Sequence, residues 1–319
     1  MAFEYTKPES WDLVVHALQR PGARALGGGT DLIPLIREHR ASPDLVVDVR
    51  GVRDAQRMSW DTEGTLTVGA AVSLRQLAKD PKVAAAFPAL SMACAAVGSY
   101  ALRNMGTLGG NLCQQVRCWY YRHGHECLKS GDSRCSAQSG QNQYHAIFQQ
   151  GPCVAVHPSD PAVALCALEA TVHVRGAGGE RRVPCAEFFA PSSVQLDRET
   201  TLAPGEVVTA VDVPARSSGG VQFYDKTMQR AAWDFALVSL AAIRRTDGEV
   251  RLVLGGVANT PWRVTDSIEE DVASGGLASD DVETLAQRAM YDAQALTGNA
   301  YKVEIAGAML RRAMVRLTA

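Results

Sequence analysis

Residues 25–32 read ALGGGTDL and residues 102–112 read LRNMGTLGGNL. Each is a glycine-rich turn that follows a short apolar or helical segment and leaves backbone N–H groups unshielded by side chains. Successive N–H groups in such a turn can curl around an anion, a phosphate above all. Taken singly, either is more simply a plain turn, because glycine is the default wherever a chain bends sharply. Neither fits the G-x-G-x-x-G dinucleotide fingerprint. The first lacks the third glycine, and neither sits in a clear strand-turn-helix with an acidic residue about 20 positions on. A Rossmann domain is therefore not expected.

Outward from the first turn, Ser10 reads as the N-cap of a helix through Gln19, closed by Pro21-Gly22 before the apolar step ARAL. LVVDV (45–49) reads as a strand, and a hairpin-like pair surrounds Glu63-Gly64. Toward the second turn, Ser73 can cap a helix over LRQLAKD, and ALSMACAAVG (89–98) fits a buried helix. Beyond it, AVALCALEA (162–170) reads as a helix, ATVHVRG (170–176) as a strand, and 194–214 as strand, loop and strand. Ser217-Ser218-Gly219-Gly220 marks a boundary, followed by FALVSLAAIRR, VRLVLGGVA and a helical tail over 303–317. The pattern predicts an α+β protein in three parts: a first lobe over 1–55, a second over 56–216 and a smaller C-terminal module over 217–319.

The 319 residues are 46% apolar, enough for two or three packed domains. A net charge of −2, with 32 basic and 34 acidic residues mixed along the chain, gives no footprint for nucleic acid or an anionic membrane. No apolar run reaches the roughly 18 residues of a membrane span, and the start lacks the pattern of a secretory signal. No membrane span is expected, and no signal of the chain's own.

Residues 113–153 change character, becoming polar, Cys- and aromatic-rich, without a period of 2 or 3.6. A stretch of that length inside a compact domain is usually functional or ordered by a metal. Cys118, Cys127, Cys135 and Cys153 lie in it, with Trp119, Tyr120, Tyr121 and Tyr144 nearby. Four thiolates suit an iron–sulfur cluster wrapped by an irregular loop. Structural zinc, with His123, His125 or His145 as further ligands, stays open, as do unliganded cysteines; the absence of a C-x-x-C pair departs from zinc ribbons and from ferredoxin spacing. Cys113 is a fifth candidate, set aside because it continues the GGNL turn, where a buried cysteine acts as an apolar residue. Cys94, Cys166 and Cys185 lie in apolar contexts and read as core.

The order of the segments resembles the FAD-binding middle subunits of the xanthine oxidase, or molybdenum hydroxylase, family. The resemblance rests on GGGTDL near 30, RNMGTLGGNL near 105, the SD-P-A-VALCALEA segment, a K-x-x-x-R-x-x-x-D-x-A-x-V segment from Lys226 and LGGVANTPWR (254–263). RCWYYR and the cysteines after it look closest to the aldehyde oxidoreductase type, in bacteria a periplasmic enzyme whose FAD subunit carries a 4Fe–4S insertion. A 4-hydroxybenzoyl-CoA reductase type is the alternative. The resemblance implies a two-lobed FAD-binding domain of the vanillyl-alcohol-oxidase (PCMH-like) kind, followed by the C-terminal domain typical of CO dehydrogenase flavoproteins.

It further implies that Leu26, Gly27, Gly28, Gly29, Thr30, Asp31 and Leu32 hold FAD, with the N–H groups of Gly28 to Asp31 on its pyrophosphate. Thr107, Gly109, Gly110 and Asn111 would line its other side, Ser159 and Asp160 would bond ribityl or ribose hydroxyls, and Lys226 would stand near the flavin ring. From the residues alone, Lys226 reads equally as a solvated surface lysine and Asp160 as a helix N-cap. Cys118, Cys127, Cys135 and Cys153 would ligate the 4Fe–4S cluster. No residue of the chain is expected to be catalytic toward the substrate. A large molybdopterin subunit would oxidise it, a small subunit with two 2Fe–2S clusters would relay the electrons, and an external acceptor would receive them from FAD. The chain would be periplasmic by co-export with a signal-bearing partner and otherwise cytoplasmic. The rivals are a self-contained flavin oxidase and a non-redox scaffold with a zinc-stapled loop.

Overall fold

A computed structural model describes residues 3–318. Among these described residues there are three sheets. The first is parallel, in the order β1 (Glu4–Thr6), β3 (Leu45–Asp48), β2 (Ala23–Leu26). The second is antiparallel, in the order β4 (Met58–Trp60), β5 (Leu66–Gly69), β8 (Val207–Val213), β6 (Thr171–Gly176), β7 (Gly179–Pro184). The third, also antiparallel, runs β12 (Trp262–Arg263), β11 (Val250–Gly255), β10 (Val238–Arg244), β9 (Val221–Thr227).

The helices begin where side-chain chemistry starts them. Ser10 accepts from Leu13 N–H, and Ser73 closes a reciprocal capping box with Gln76. The helix Asp160–Ala167 is buried on nearly all sides, and Ala162, Val163, Ala164 and Leu165 join a core that runs from Leu66 and Val211 of the second sheet to Ala241 and Val253 of the third. A helix apolar all round has no solvent face, so it acts as the axle between two sheets. A separate core lies between the third sheet and the tail helix Tyr301–Thr318, through Leu240, Leu252, Met309 and Leu310.

One expectation changes. The stretch 194–206 holds no regular strand; Phe189 and Thr200 form an isolated bridge, and the rest is turns. Val194 is 77% exposed and Leu196 packs against the cluster around Cys127 and Cys153, not onto a sheet, so VQL gains nothing from an extended strand. The insertion 113–153 contains only short helical turns, Trp119–Arg122, Leu128–Ser130 and Ser136–Ser139.

Candidate functional site

β2 delivers the first glycine-rich turn directly against the second. A Cβ on Gly28 would lie 1.6 Å from the Met105 carbonyl oxygen, and one on Gly27 would lie 2.3 Å from Thr107 Oγ1. Only glycine permits this approach of backbone to backbone. Gly29 adopts φ +74°, turning the chain into the helix Leu32–Arg37. Among the described residues, no protein acceptor takes the backbone N–H groups of Gly28, Gly29, Thr30 or Asp31. The second turn differs. Its N–H groups are spent internally, Leu108 on Val72 O, Gly109 on Ala70 O, Gly110 on Thr107 Oγ1 and Asn111 on Thr107 O. The first turn therefore offers donors, and the second offers a wall.

Where the turns meet, Gly27, Thr107, Gly110, Cys113 and Gln115 line both a cleft of about 680 Å³ toward Pro21 and Glu206 and one of about 190 Å³ along Leu26–Leu32. A further cavity of about 280 Å³ lies between Ser159–Asp160, Cys118–Trp119 and Phe235 of the loop after β9.

Ser159, not Asp160, caps the helix Asp160–Ala167: its hydroxyl accepts from Ala162 N–H and donates to Asn111 Oδ1 at 2.6 Å. That pair joins the second turn to the SD segment. Asp160 is buried, receiving Tyr224 Oη–H at 2.6 Å and Lys226 Nζ at 2.8 Å. Burial pushes the Asp160 carboxyl up, against the pull of Lys226 and Tyr224. Lys226 is not a solvated lysine; its side chain is 4% exposed and also donates to Ala96 O. Tyr224 and Lys226 share one face of β9, two residues apart, and so reach the same carboxylate. Lys226→Met should destabilise the chain by about 3–5 kcal/mol, because it strands a buried charge. Asp160→Asn combined with Lys226→Met should recover part of that loss. A urea midpoint unchanged in the single variant would count against the pair's structural weight.

The insertion grips the first turn. Asp31 Oδ1 receives Arg117 and Arg122, each at 2.8 Å, and Oδ2 receives Gln115 N–H at 2.8 Å. The Asp31 side chain is thus committed to the insertion, leaving its backbone N–H for a ligand. Cys118 stands at the N-terminus of the turn Trp119–Arg122, and Cys127, Cys153 and Cys118 pack in one small cluster with Val116 and Tyr121. Burial pushes the Cys118 thiol up to about 11; the N–H groups of Tyr121 and Tyr120 pull the other way, and Cys127 and Cys135 add to the rise. Burial also raises Cys153, to about 12, with Cys135 and Cys118 contributing. Three of the four thiols thus share one packed cluster, and Cys135 lies near enough to act on Cys118 and Cys153. Among the described residues, no three His, Cys, Asp or Glu side chains converge as the ligands of a single ion would. Cys113 is different: burial and Glu199 raise it to about 12, and it faces the clefts at the glycine turns.

Arg122 and Lys302 were not singled out by sequence, and His145 only as a further ligand for zinc. Arg122 is 6% exposed and ties Asp31, Glu38 and Val116 O together. Lys302 is fully buried, donating to the carbonyls of Tyr144, His145 and Gly256, and burial pushes it down to about 7. His145 places Nε2 3.2 Å from Cys118 Sγ; burial and the Lys302 cation hold it down to about 4. Lys302 could have been found, because it lies on the same helical stripe as Ala306, Met309, Leu310 and Ala313. Arg122 carries no such local signal.

Residues 1–216 match the family described as the FAD binding domain in molybdopterin dehydrogenase. The aldehyde oxidoreductase FAD-binding subunit PaoB of Escherichia coli K12 is 37% identical over 268 residues, 82% of this chain and 84% of that protein. The glyceraldehyde dehydrogenase medium chain of Sulfolobus acidocaldarius is 26% identical over 292 residues, 90% of this chain and 86% of that one. Among solved structures, a carbon monoxide dehydrogenase chain from Hydrogenophaga pseudoflava superposes with a TM-score of 0.76 at 24% identity, covering 100% of this chain and 99% of that one. That likeness shows the fold.

Proposed function

Because this chain belongs to the family of FAD-binding domains of molybdopterin dehydrogenases, we propose that it is the FAD- and 4Fe–4S-binding subunit of a molybdenum-dependent aldehyde oxidoreductase. The observation that carries this is the junction of the two glycine turns. Four free N–H groups of Gly28 to Asp31 face a cleft walled by Thr107 and Gly110, and the cysteine insertion is bolted to that same turn through Asp31.

When bound, FAD accepts an electron pair and releases electrons singly, while an iron–sulfur cluster carries one at a time. The residues fit both groups. The N–H nest suits a pyrophosphate, and Ser159, which lines the cavity beside Asp160, is hydrogen-bonded to Asn111 of the second turn. The buried cation of Lys226 fixes Asp160 there. Four neighbouring thiols suit a cubane, each of whose cysteines binds a different iron, so they need not converge on one point. Cys113 lies on the flavin side and is left out. The three sheets support the three-part division at 55 and 216.

The substrate would be oxidised on a large molybdopterin subunit, with a small 2Fe–2S subunit between it and this chain in a heterotrimer, and an external acceptor would complete the path. No helix among the described residues is long and apolar enough to cross a membrane. Compartment follows the partners, the periplasm by co-export or the cytoplasm. Acid precipitation should release stoichiometric FAD into the supernatant, and the native spectrum should show broad visible absorption beneath the flavin bands. FMN, or flavin retained in the pellet, would overturn the flavin site. Zinc in place of iron and sulfide would overturn the cluster, and robust aldehyde turnover by the isolated chain would overturn the heterotrimer.

A further inference from the structure

His145 lines the cavity beside Asp160 and keeps one buried ring nitrogen without a hydrogen-bond partner, and Lys302, behind it, is a buried cation with carbonyl partners but no carboxylate among the described residues. His145 is 3% exposed, with its ring edge-on to Trp119 and tilted against Tyr120. Its Nε2 stands 3.2 Å from Cys118 Sγ, while Nδ1 is buried without a hydrogen-bond partner. A ligating thiolate has no proton of its own, so an imidazole nitrogen at that distance must bring one. The tautomer with Nε2–H is then fixed by the sulfur.

Lys302 is the companion. Its ammonium contacts only the carbonyls of Tyr144, His145 and Gly256, and no carboxylate pairs with it among the described residues. The same carbonyl of His145 also accepts from Asn299 Nδ2 at 3.0 Å, so the backbone carrying the imidazole is held from two sides. A buried cation without a counter-charge is costly unless something anionic lies close by. The thiol group beside His145 is where this fold would place an anion.

We infer that His145 and Lys302 are positioning residues for the cluster: His145 donates Nε2–H to the Cys118 ligand, and Lys302 supplies the buried counter-charge and anchors His145. This rests on the iron–sulfur assignment of Cys118. Reduction adds one electron to the cluster and its sulfurs, so a donor on sulfur and a nearby cation stabilise the reduced form more than the oxidised one. Both residues therefore raise the potential.

The test is a reductive titration of the purified complex followed by electron paramagnetic resonance, with iron counted in every sample. His145→Phe keeps the ring packing and removes the donor. It should shift the reduction equilibrium roughly tenfold toward the oxidised cluster, about 59 mV lower for a one-electron couple. His145→Gln, which restores an N–H, should recover part of the shift. Lys302→Met should move the potential in the same direction without touching a sulfur. Potentials equal to the parent's in His145→Phe and Lys302→Met, with iron retained, would overturn the inference. A shift in the first alone would sustain the donor and overturn the counter-charge. If His145→Phe sheds its iron, Lys302→Met decides. A parent complex with no iron would instead overturn the cluster assignment itself.

Discussion

A chain carrying Gly28→Ala is expected to purify nearly free of FAD. The new methyl group would sit 1.6 Å from the Met105 carbonyl oxygen and 2.4 Å from its carbon, both backbone atoms. No rotamer relieves such a clash, so the two glycine turns must separate. Overpacking of this kind costs about 1–3 kcal/mol even where side chains can yield. Spent on the nest itself, a loss of that size weakens binding by roughly tenfold to a hundredfold. The measure is the flavin-to-protein ratio after gel filtration, together with the urea midpoint. Gly178→Ala is the control, since a Cβ there meets nothing within 4 Å at the hairpin between β6 and β7. Full FAD occupancy in Gly28→Ala would show that the nest lies elsewhere.

The same contact explains why the fold could be read from two short stretches. Glycines mark places where backbone must meet backbone, so GGGT and GTLGG advertise a junction although they lie about 80 residues apart. Helix starts at Ser10 and Ser73 were legible because their caps are local chemistry. What could not be read was the pairing between distant groups. Nothing near Asp31 announces Arg122, and nothing near Asp160 announces Tyr224, although Tyr224 stands two residues from the lysine that was singled out. Likewise, the sequence distinguishes a donor turn from a wall only after the N–H partners are known. In the second turn two of those partners, Val72 and Ala70, lie more than 30 residues earlier in the chain.

The cysteine insertion carries the largest expected chemical effect. Substituting Cys118, Cys127, Cys135 or Cys153 by Ala should each reduce iron from about four per chain to near zero, because a cubane missing one thiolate has an exposed iron corner. Cys113→Ala should keep its iron, since Cys113 faces the clefts at the glycine turns and its thiol responds to Glu199 rather than to the other four. The consequence for the fold should be uneven. Residues 142–148 are tied to the C-terminal module: Asn142 accepts from Gly298 N–H, Asn299 reaches His145 and Ala146, and the N–H groups of Ile147 and Phe148 meet Val257 O. Residues 118–141 lack such anchors apart from Arg122, Lys129 and a few side chains, and their compactness rests on the packing around the thiols. Loss of the cluster should therefore raise hydrogen exchange in 118–141 and leave 142–148 protected. Because Arg122 lies in the loosened part and holds Asp31, FAD occupancy should fall with the iron. Iron lost in Cys113→Ala and kept in Cys118→Ala would move the ligand set by one residue. Iron lost with exchange unchanged across 118–141 would mean that the segment folds without its metal, and then the link from cluster to flavin through Asp31 would have to be abandoned.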